Sequence, residues 1–351
     1  MKKKSRLALA ITTLAIGTLT ACLSSCSKAT PELHIYNWSD YFAPDTLKNF
    51  EQKYHCKVIY DVFESNEAMY AKLKAGAKGY DVVFPSSYQA KLMHDEGMIE
   101  DLDHSKIPNV KYIDPGFNKI VAIDKTQAYS LPYMTGTTGL AINKDKVANY
   151  DASWTIYERA DLKGRMMLLD DYREVLGSAL KYLGYSLNTT DPKQIAQAGE
   201  VVQKWKKNIA KFGSDDYKPG MASGEFFVAQ GFSGDVKQLM GDHPNIVYVL
   251  PKEGFSFWSD DMVILKDAPN KDLAYAFVNY LTDPEVASKN MQSNDYMSPN
   301  TEAKKLVPQD MRDDPMVFVP DAVMLKGEQI VPLGKDDKLY MDVWNKIKSE
   351  E

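Results

Sequence analysis

From Leu33 onward the chain alternates short apolar runs with segments of helical period, and this alternation restricts its fold more than any other feature. Leu33-His34-Ile35-Tyr36 reads as a strand, 46–54 as a helix, and Val58-Ile59-Tyr60-Asp61-Val62-Phe63 as a second strand. A helix follows from Glu67 to Lys74, with Ser65 or Asn66 as N-cap and Gly76 as its stop. Tyr80-Asp81-Val82-Val83-Phe84 then reads as a buried strand. The rhythm is that of an α/β fold, in which ligands meet the carboxyl ends of strands.

A second block starts near Thr135, where Gly136 and Gly139 flank a strand running into Leu140-Ala141-Ile142-Asn143; a first hinge crossing is expected here. In Gly164-Arg165-Met166-Met167-Leu168-Leu169-Asp170-Asp171 a strand meets a helix whose apolar positions Val175, Ala179, Leu180 and Leu183 recur at helical spacing. Asp170 and Asp171 therefore sit at a strand-to-helix junction. Leu273, Phe277, Val278 and Leu281 form one helical stripe before a break at Asp283-Pro284. With 351 residues, 44% of them hydrophobic, two domains fit better than one. No repeat, low-complexity tract or long linker interrupts them.

The N-terminus has a separate logic. A basic stretch, Met1 to Arg6, precedes an apolar run from Leu7 to Leu19, which reads as an export signal and is too short for a comfortable membrane span. The run ends in Leu19-Thr20-Ala21-Cys22, which resembles the lipobox of bacterial lipoproteins; Leu23-Ser24-Ser25-Cys26 fits the same pattern, so Cys22 is the expected lipidation site and Cys26 its alternative. Residues 1–21 would be the signal peptide and 22–30 the lipidated tether, attaching the chain to a membrane of the periplasm or cell envelope. One acyl chain anchors weakly, so a multiply acylated cysteine is implied. Once one cysteine of this pair is lipidated, the other and Cys56 give no disulfide framework. The formal net charge is −6, and losing four basic residues with the signal leaves about −10. Such a surface disfavours nucleic acid and suits a cationic ligand.

Aromatic and acidic residues recur together, as if just after strands, in four places: Asn37-Trp38-Ser39-Asp40-Tyr41, Ser86-Ser87-Tyr88, Asp170-Asp171-Tyr172-Arg173-Glu174 and Phe257-Trp258-Ser259-Asp260-Asp261. A fold that gathers strand ends at one cleft would surround a single ligand with these groups. An ammonium presents three donors and wants carboxylate or hydroxyl acceptors. Methylenes between ammoniums want flat apolar walls, and indole faces near the nitrogens add about 0.5–2 kcal/mol each. Singly, each cluster also fits a helix cap beside a core aromatic.

With these residues the chain resembles the polyamine-binding receptors of bacterial ABC importers, the spermidine- and putrescine-binding periplasmic proteins. The likeness runs from about Leu33 to the C-terminus and includes Tyr36 to Tyr41, Glu64-Ser65-Asn66-Glu67, Tyr80 to Ser86, Leu131-Pro132-Tyr133, Arg173-Glu174-Val175, Leu183-Gly184-Tyr185, Pro251-Lys252-Glu253-Gly254 and Tyr296-Met297-Ser298-Pro299-Asn300. It implies a two-lobed periplasmic-binding-protein fold of type II, with two crossovers and the ligand cleft between lobes. The first lobe would be 31–135 plus 259–304, and the second 136–258 plus 305–351. Lobe closure over a polyamine and delivery to an inner-membrane ABC permease with its ATPase are implied as well. No cofactor is implied.

Carried over by position, Trp38, Ser39 and Tyr41 line one wall, Ser86 or Ser87 and Tyr88 approach from the first lobe, and Asp171 and Glu174 from the second. Trp258 would stack on methylenes, Asp260 would grip an ammonium, and Tyr296 matches a further aromatic position. Where the family usually has tryptophan before glycine, this chain has Phe232-Ser233-Gly234-Asp235, so one wall is smaller. Asp40 and Asp235 match acids of putrescine receptors, whereas Asp171 and Trp258 are closer to spermidine receptors. The implied site is a hybrid that takes putrescine well and accepts spermidine. Gln329, across a gap near Gly327, stands nearest the spermidine-side amide.

Two other classes fit less well. A hydrolase would use Asp170, Asp171 and Glu174 as acid and base, but the Gly231-Phe232-Ser233-Gly234 stretch fails as a nucleophile elbow because position 235 is Asp. A metal receptor could draw on 21 tyrosines, yet the five histidines are scattered and form no metal motif. No enzyme activity is expected, and no phosphate-binding loop is present, so ATP hydrolysis would belong to a partner.

Overall fold

The computed structural model describes residues 30–120 and 123–350. The expected signal segment, Cys22, Cys26 and all but the last residue of the expected tether lie outside the described residues. Among the described residues, ten strands join in one curled, mixed sheet: β1 (Glu32–Asn37), β2 (Lys57–Val62), β3 (Val82–Val83), β4 (Leu131–Asn143), β5 (Met166–Leu168), β6 (Ile209–Phe212), β7 (Val228–Phe232), β8 (Ile246–Val249), β9 (Ser256–Ile264) and β10 (Glu328–Gln329). The path across the sheet is β2-β1-β3-β9-β4-β7-β5-β6, with β8 on β4 and β10 on β9. The outer pairs β1–β2, β1–β3, β5–β6 and β5–β7 are parallel, while the central ladder β3–β9–β4–β7 is antiparallel.

The long strand β4 explains why one chain builds two cores. Its first half, Leu131 to Thr137, pairs with β9, and its second half, Thr138 to Asn143, pairs with β7 and β8. The crossing expected near Thr135 falls within this one strand. One core gathers Leu33, Ile35, Phe50, Val82, Val83, Phe84, Met262, Ile264, Phe277 and Leu281. A second gathers Leu140, Ile142, Leu168, Leu176, Val202, Trp205, Val228, Tyr340 and Ile347. Each fully buried large apolar side chain contributes about 1.5–3 kcal/mol.

Several boundaries follow the local chemistry. Ser65, not Asn66, caps the helix Asn66–Lys74, its Oγ accepting from Ala68 N–H at 3.1 Å, and Gly76 beyond the helix adopts a positive φ of 94°. Asp171 caps the helix Tyr172–Tyr182, and Asp283 caps Pro284–Asn294. Beyond position 304, where the second lobe was expected to begin, Val307, Met311 and Val317 still pack into the first core, because the helix Thr301–Leu306 lies against Pro284–Asn294. The cluster from Phe257 to Asp261, read as following a strand, lies within β9. No helix among the described residues is long and apolar enough to cross a membrane.

Candidate functional site

Strand alternation within β9 sets the centre of the site. Trp258 and Asp260 face a cleft between the two cores, while Asp261, one residue on, is buried on the other side against Ser130 Oγ at 2.7 Å and Ser259 Oγ at 3.0 Å. The cavity holds about 690 Å³ counting its open mouth. Its lining combines six carboxylates, Glu64, Asp171, Glu174, Asp215, Asp235 and Asp260, with six rings, Trp38, Tyr41, Tyr88, Phe232, Trp258 and Tyr296. Ser39, Asn66, Ser86, Ser214 and Ile330 complete it, and no lysine, arginine or histidine of the described residues lines it.

Asp260 is held by donors on both oxygens. Tyr41 donates its hydroxyl to Oδ2 at 2.7 Å, and Ser86 donates to Oδ1 at 2.7 Å. Ser86 is itself fixed by Asn66, whose Nδ2 donates to Ser86 Oγ at 3.0 Å and to the Tyr88 hydroxyl at 3.1 Å, while Ser86 N–H donates to Asn66 Oδ1 at 3.0 Å. Burial pushes the Asp260 carboxyl up to about 7, although the two hydroxyls favour its ionised form. Asp171 accepts at Oδ1 from the Arg173 and Glu174 N–H groups at 2.9 and 3.0 Å, the ordinary work of an N-cap. Burial raises its pKa against those bonds, and burial, then the charge of Asp171, push Glu174 up to about 8. Ser256 Oγ donates to Glu174 Oε2.

The rings are set edge to face. Trp258 meets Tyr296 at 5.4 Å and 63° and Phe232 at 5.7 Å and 87°, and Tyr296 meets Tyr41 at 5.8 Å and 75°. Trp258 also needs Gly136 beneath it, since a Cβ there would stand 2.7 Å from Trp258 Cζ2. Gly136→Ala is therefore expected to tilt the indole and weaken ligand binding with little loss of fold; titration beside a melting curve checks this.

Twelve of the sequence-read site residues line the cleft: Trp38, Ser39, Tyr41, Ser86, Tyr88, Asp171, Glu174, Phe232, Asp235, Trp258, Asp260 and Tyr296. Asp40, Ser87 and Gln329 do not. Asp40 adopts a positive φ of 52°, and its side chain is 80% exposed beside Lys218. Ser87 is buried in the first turn of the helix Ser87–Asp95, so of the two serines Ser86 reaches the cleft. Gln329 sits on β10 opposite Phe257, and the next residue, Ile330, takes its place in the lining. Asp235 lines the cleft but is already engaged, accepting from the Tyr217 hydroxyl at 2.7 Å with Lys218 Nζ 3.8 Å away. Ser233 is buried with its Oγ on Thr137 N–H, unlike an exposed nucleophile.

The reading of the sequence missed Glu64, Asn66, Ser214, Asp215 and Ile330. Ser214 and Asp215 follow β6, so the same strand-end rule would have found them had Ile209–Phe212 been recognised as a strand. Chemically, the site can accept a cation that carries apolar length: carboxylates and hydroxyls for ammonium groups, ring faces for methylenes.

A family model for bacterial extracellular solute-binding proteins matches residues 45–319. The chain is 37% identical to the spermidine/putrescine-binding periplasmic protein of Escherichia coli K12, covering 99% of each, and 36% identical to the putrescine-binding periplasmic protein PotF of the same organism, covering 97% of this chain and 95% of that one. Among solved structures, the TpPotD lipoprotein of Treponema pallidum superposes with a TM-score of 0.80 at 35% identity, covering 90% of this chain and 99% of that one. The spermidine/putrescine ABC transporter substrate-binding protein PotD of Streptococcus pneumoniae gives 0.74 at 36%, covering 91% and 99%. With a sheet that passes between two cores, a cleft between them and relatives matched over nearly their whole length, the chain belongs to the bacterial extracellular solute-binding proteins, a family of transport receptors rather than enzymes.

Proposed function

We propose that this chain is the substrate-binding receptor of an ABC polyamine importer, taking putrescine or spermidine into the cleft and delivering it to the membrane permease and its ATPase. The observation that carries the reading is the lining itself, six carboxylates and six aromatic rings with no basic side chain among the described residues. A neutral or anionic solute would leave the buried Asp260, Asp171 and Glu174 without a cation, whereas a diammonium alkane brings one ammonium to Asp260 and one to the Asp171–Glu174 pair and covers the rings. The relatives named for spermidine and putrescine point to the same ligand class. Asp260, with Tyr41 and Ser86 around it, would hold one ammonium and Asp171 with Glu174 another, while Trp258, Trp38 and Tyr296 enclose the methylenes. The two lobes would divide at β4 and β9, and closing them over the ligand would expel water from both ion pairs.

The reading extends to location. A basic and then apolar N-terminus, followed by Cys22 and Cys26, supports export and a lipid anchor in the cell envelope, and one solved relative is itself named a lipoprotein. Mass spectrometry of the membrane-extracted protein tests this: an acylated N-terminal Cys22 is expected, and an unmodified soluble chain would refute the anchor.

Isothermal titration of protein stripped by unfolding and refolding, against putrescine, spermidine and a neutral amino acid, tests the function. One-to-one heats with a polyamine and none with the amino acid are expected; a folded protein with no polyamine heat would sink the reading.

Binding should also release protons. An ammonium stabilises the ionised form of Asp260 and Glu174, whose ligand-free pKa values stand at about 7 and about 8, while an alkyl ammonium keeps its own proton to roughly pH 10. Affinity should therefore rise by at least about tenfold from pH 6 to pH 8. Folding stability of the empty protein runs the other way. Carboxyls with raised folded pKa values favour the fold fully below the unfolded pKa, and that contribution is lost as pH climbs through about 7 and 8. Titrations in buffers of different ionisation heat count the protons; no release at pH 6.5 would refute the assignment of these two acids.

A further inference from the structure

We infer that Ser256 is a positioning residue for the ligand: it pins Glu174 to β9, so that one face of this strand, with Ser256, Trp258 and Asp260 in turn, fixes the separation of two ammonium stations and selects α,ω-diamines of four or five carbons. This rests on the polyamine reading above. Residues two apart on a strand share a face, and β9 pairs with β4 without a shift of register from Phe257 to Asp260. On that face Trp258 and Asp260 open into the cleft, whereas Ser256 is buried behind the lining and its Oγ donates to Glu174 Oε2. Glu174 comes from the helix Tyr172–Tyr182, so this one bond ties a cleft acid of the second core to the strand that carries the indole and the other acid. Burial and then the charge of Asp171 raise the Glu174 carboxyl, and the hydroxyls of Ser256 and Thr138 act against them. Thr138 also accepts from the Trp258 Nε1–H at 3.3 Å.

The spacing follows from the strand. From Ser256 to Asp260 four residues of β9 span about 13 Å, at about 3.3 Å each. An extended four-carbon diamine holds its nitrogens about 6 Å apart, at about 1.2 Å per bond. A charge-assisted contact of about 2.8 Å at each end brings this to about 12 Å. Each methylene changes the span by about 1.2 Å, so four or five carbons bridge the stations across the Trp258 face and three fall short. Glu64 and Asp215 line the same cleft, but both are exposed and follow β2 and β6, away from this face. They remain for a further ammonium of a longer polyamine; β9 sets a spacing and leaves the number of stations open.

The test is titration of the stripped protein with the α,ω-diamines of three, four, five and six carbons and with spermidine. In wild-type protein the diamine affinity is expected to be highest at four or five carbons, roughly tenfold lower or more at three, and lower again at six than at the optimum. Ser256→Ala frees Glu174 from the strand. It should lower the best diamine affinity by roughly tenfold and shrink the contrast between three and four carbons to less than about threefold. Ser256→Thr, which keeps the hydroxyl, should restore both, and melting curves show that each variant is folded. The wild-type length series needs no variant: a flat series, or uptake of spermidine with none of the diamines, overturns the proposal. So does a Ser256→Ala protein that binds all diamines more weakly by one common factor, since that would make the serine a packing element only. Wild-type protein that takes up neither spermidine nor any diamine removes instead the reading on which the proposal rests.

Discussion

Asp260→Asn should weaken polyamine binding by about 3–5 kcal/mol, a factor of roughly a hundred to several thousand in Kd. The substitution preserves shape but removes the charge that faces the ligand, leaving a desolvated ammonium with a neutral amide. Its effect on the empty protein should have the opposite sign. Asp260 is 5% exposed, and burial holds its pKa near 7, so at pH 8 the wild-type protein carries an uncompensated buried charge. An asparagine can accept from one of the Tyr41 and Ser86 hydroxyls and donate to the other oxygen, so the variant should melt no lower than wild type at pH 8. Calorimetry and titration of the same sample separate the two effects. Retained affinity in a folded variant would remove Asp260 from the site.

Trp258→Ala is the second large effect, expected to cost about 2–4 kcal/mol of binding. The indole is 8% exposed, stands edge-on to Phe232 and Tyr296, and donates its Nε1–H to Thr138 Oγ1 at 3.3 Å. Truncation removes the flat wall for the methylenes, the ring face for the ammonium and the support of two neighbouring rings together. Because a buried tryptophan is also a large packing element, some stability should go with it, about 3–5 kcal/mol. Trp258→Phe provides the control: it keeps a ring face, gives up the Thr138 bond, and should lose clearly less affinity than the alanine. Equal losses in the two variants would mean that the residue serves the fold and not the ligand.

The α/β class and most elements of the first core were legible because their signals are local. Ser65 ahead of an apolar helix, glycine at Gly76 and the Asp283-Pro284 break act within a few residues, and the structure places the corresponding ends there. Cleft-lining residues were legible where an acid or ring follows a strand that the pattern reveals, as at Trp38, Ser86 and Asp171. What escaped depends on distant contacts. Nothing near Glu64 or Ile330 says that each will border a cavity, and β10 is two residues long, too short to leave a period. The placing of Phe257 to Asp261 at a strand end failed for a related reason: polar residues inside a strand imitate its end, and only pairing with β4 on one side and β3 and β10 on the other shows the strand continuing. Asp40 and Asp235 look like equals in sequence, and a lysine some 178 residues from the first and 17 from the second distinguishes them from open acceptors.

That double-sided pairing of β9 bears on the order of events at capture. A strand paired with β4 along most of its length, with β10 and β3 at its two ends and with Ser86 bridging Asp260, has little conformational freedom left to lose, so Trp258 and Asp260 await the solute in their final positions, and the entropic cost of assembling this half falls in folding rather than in association. Amide protons of β9 should accordingly exchange slowly in empty and loaded protein alike, while those at the start of the helix Tyr172–Tyr182 should slow only once a solute is held.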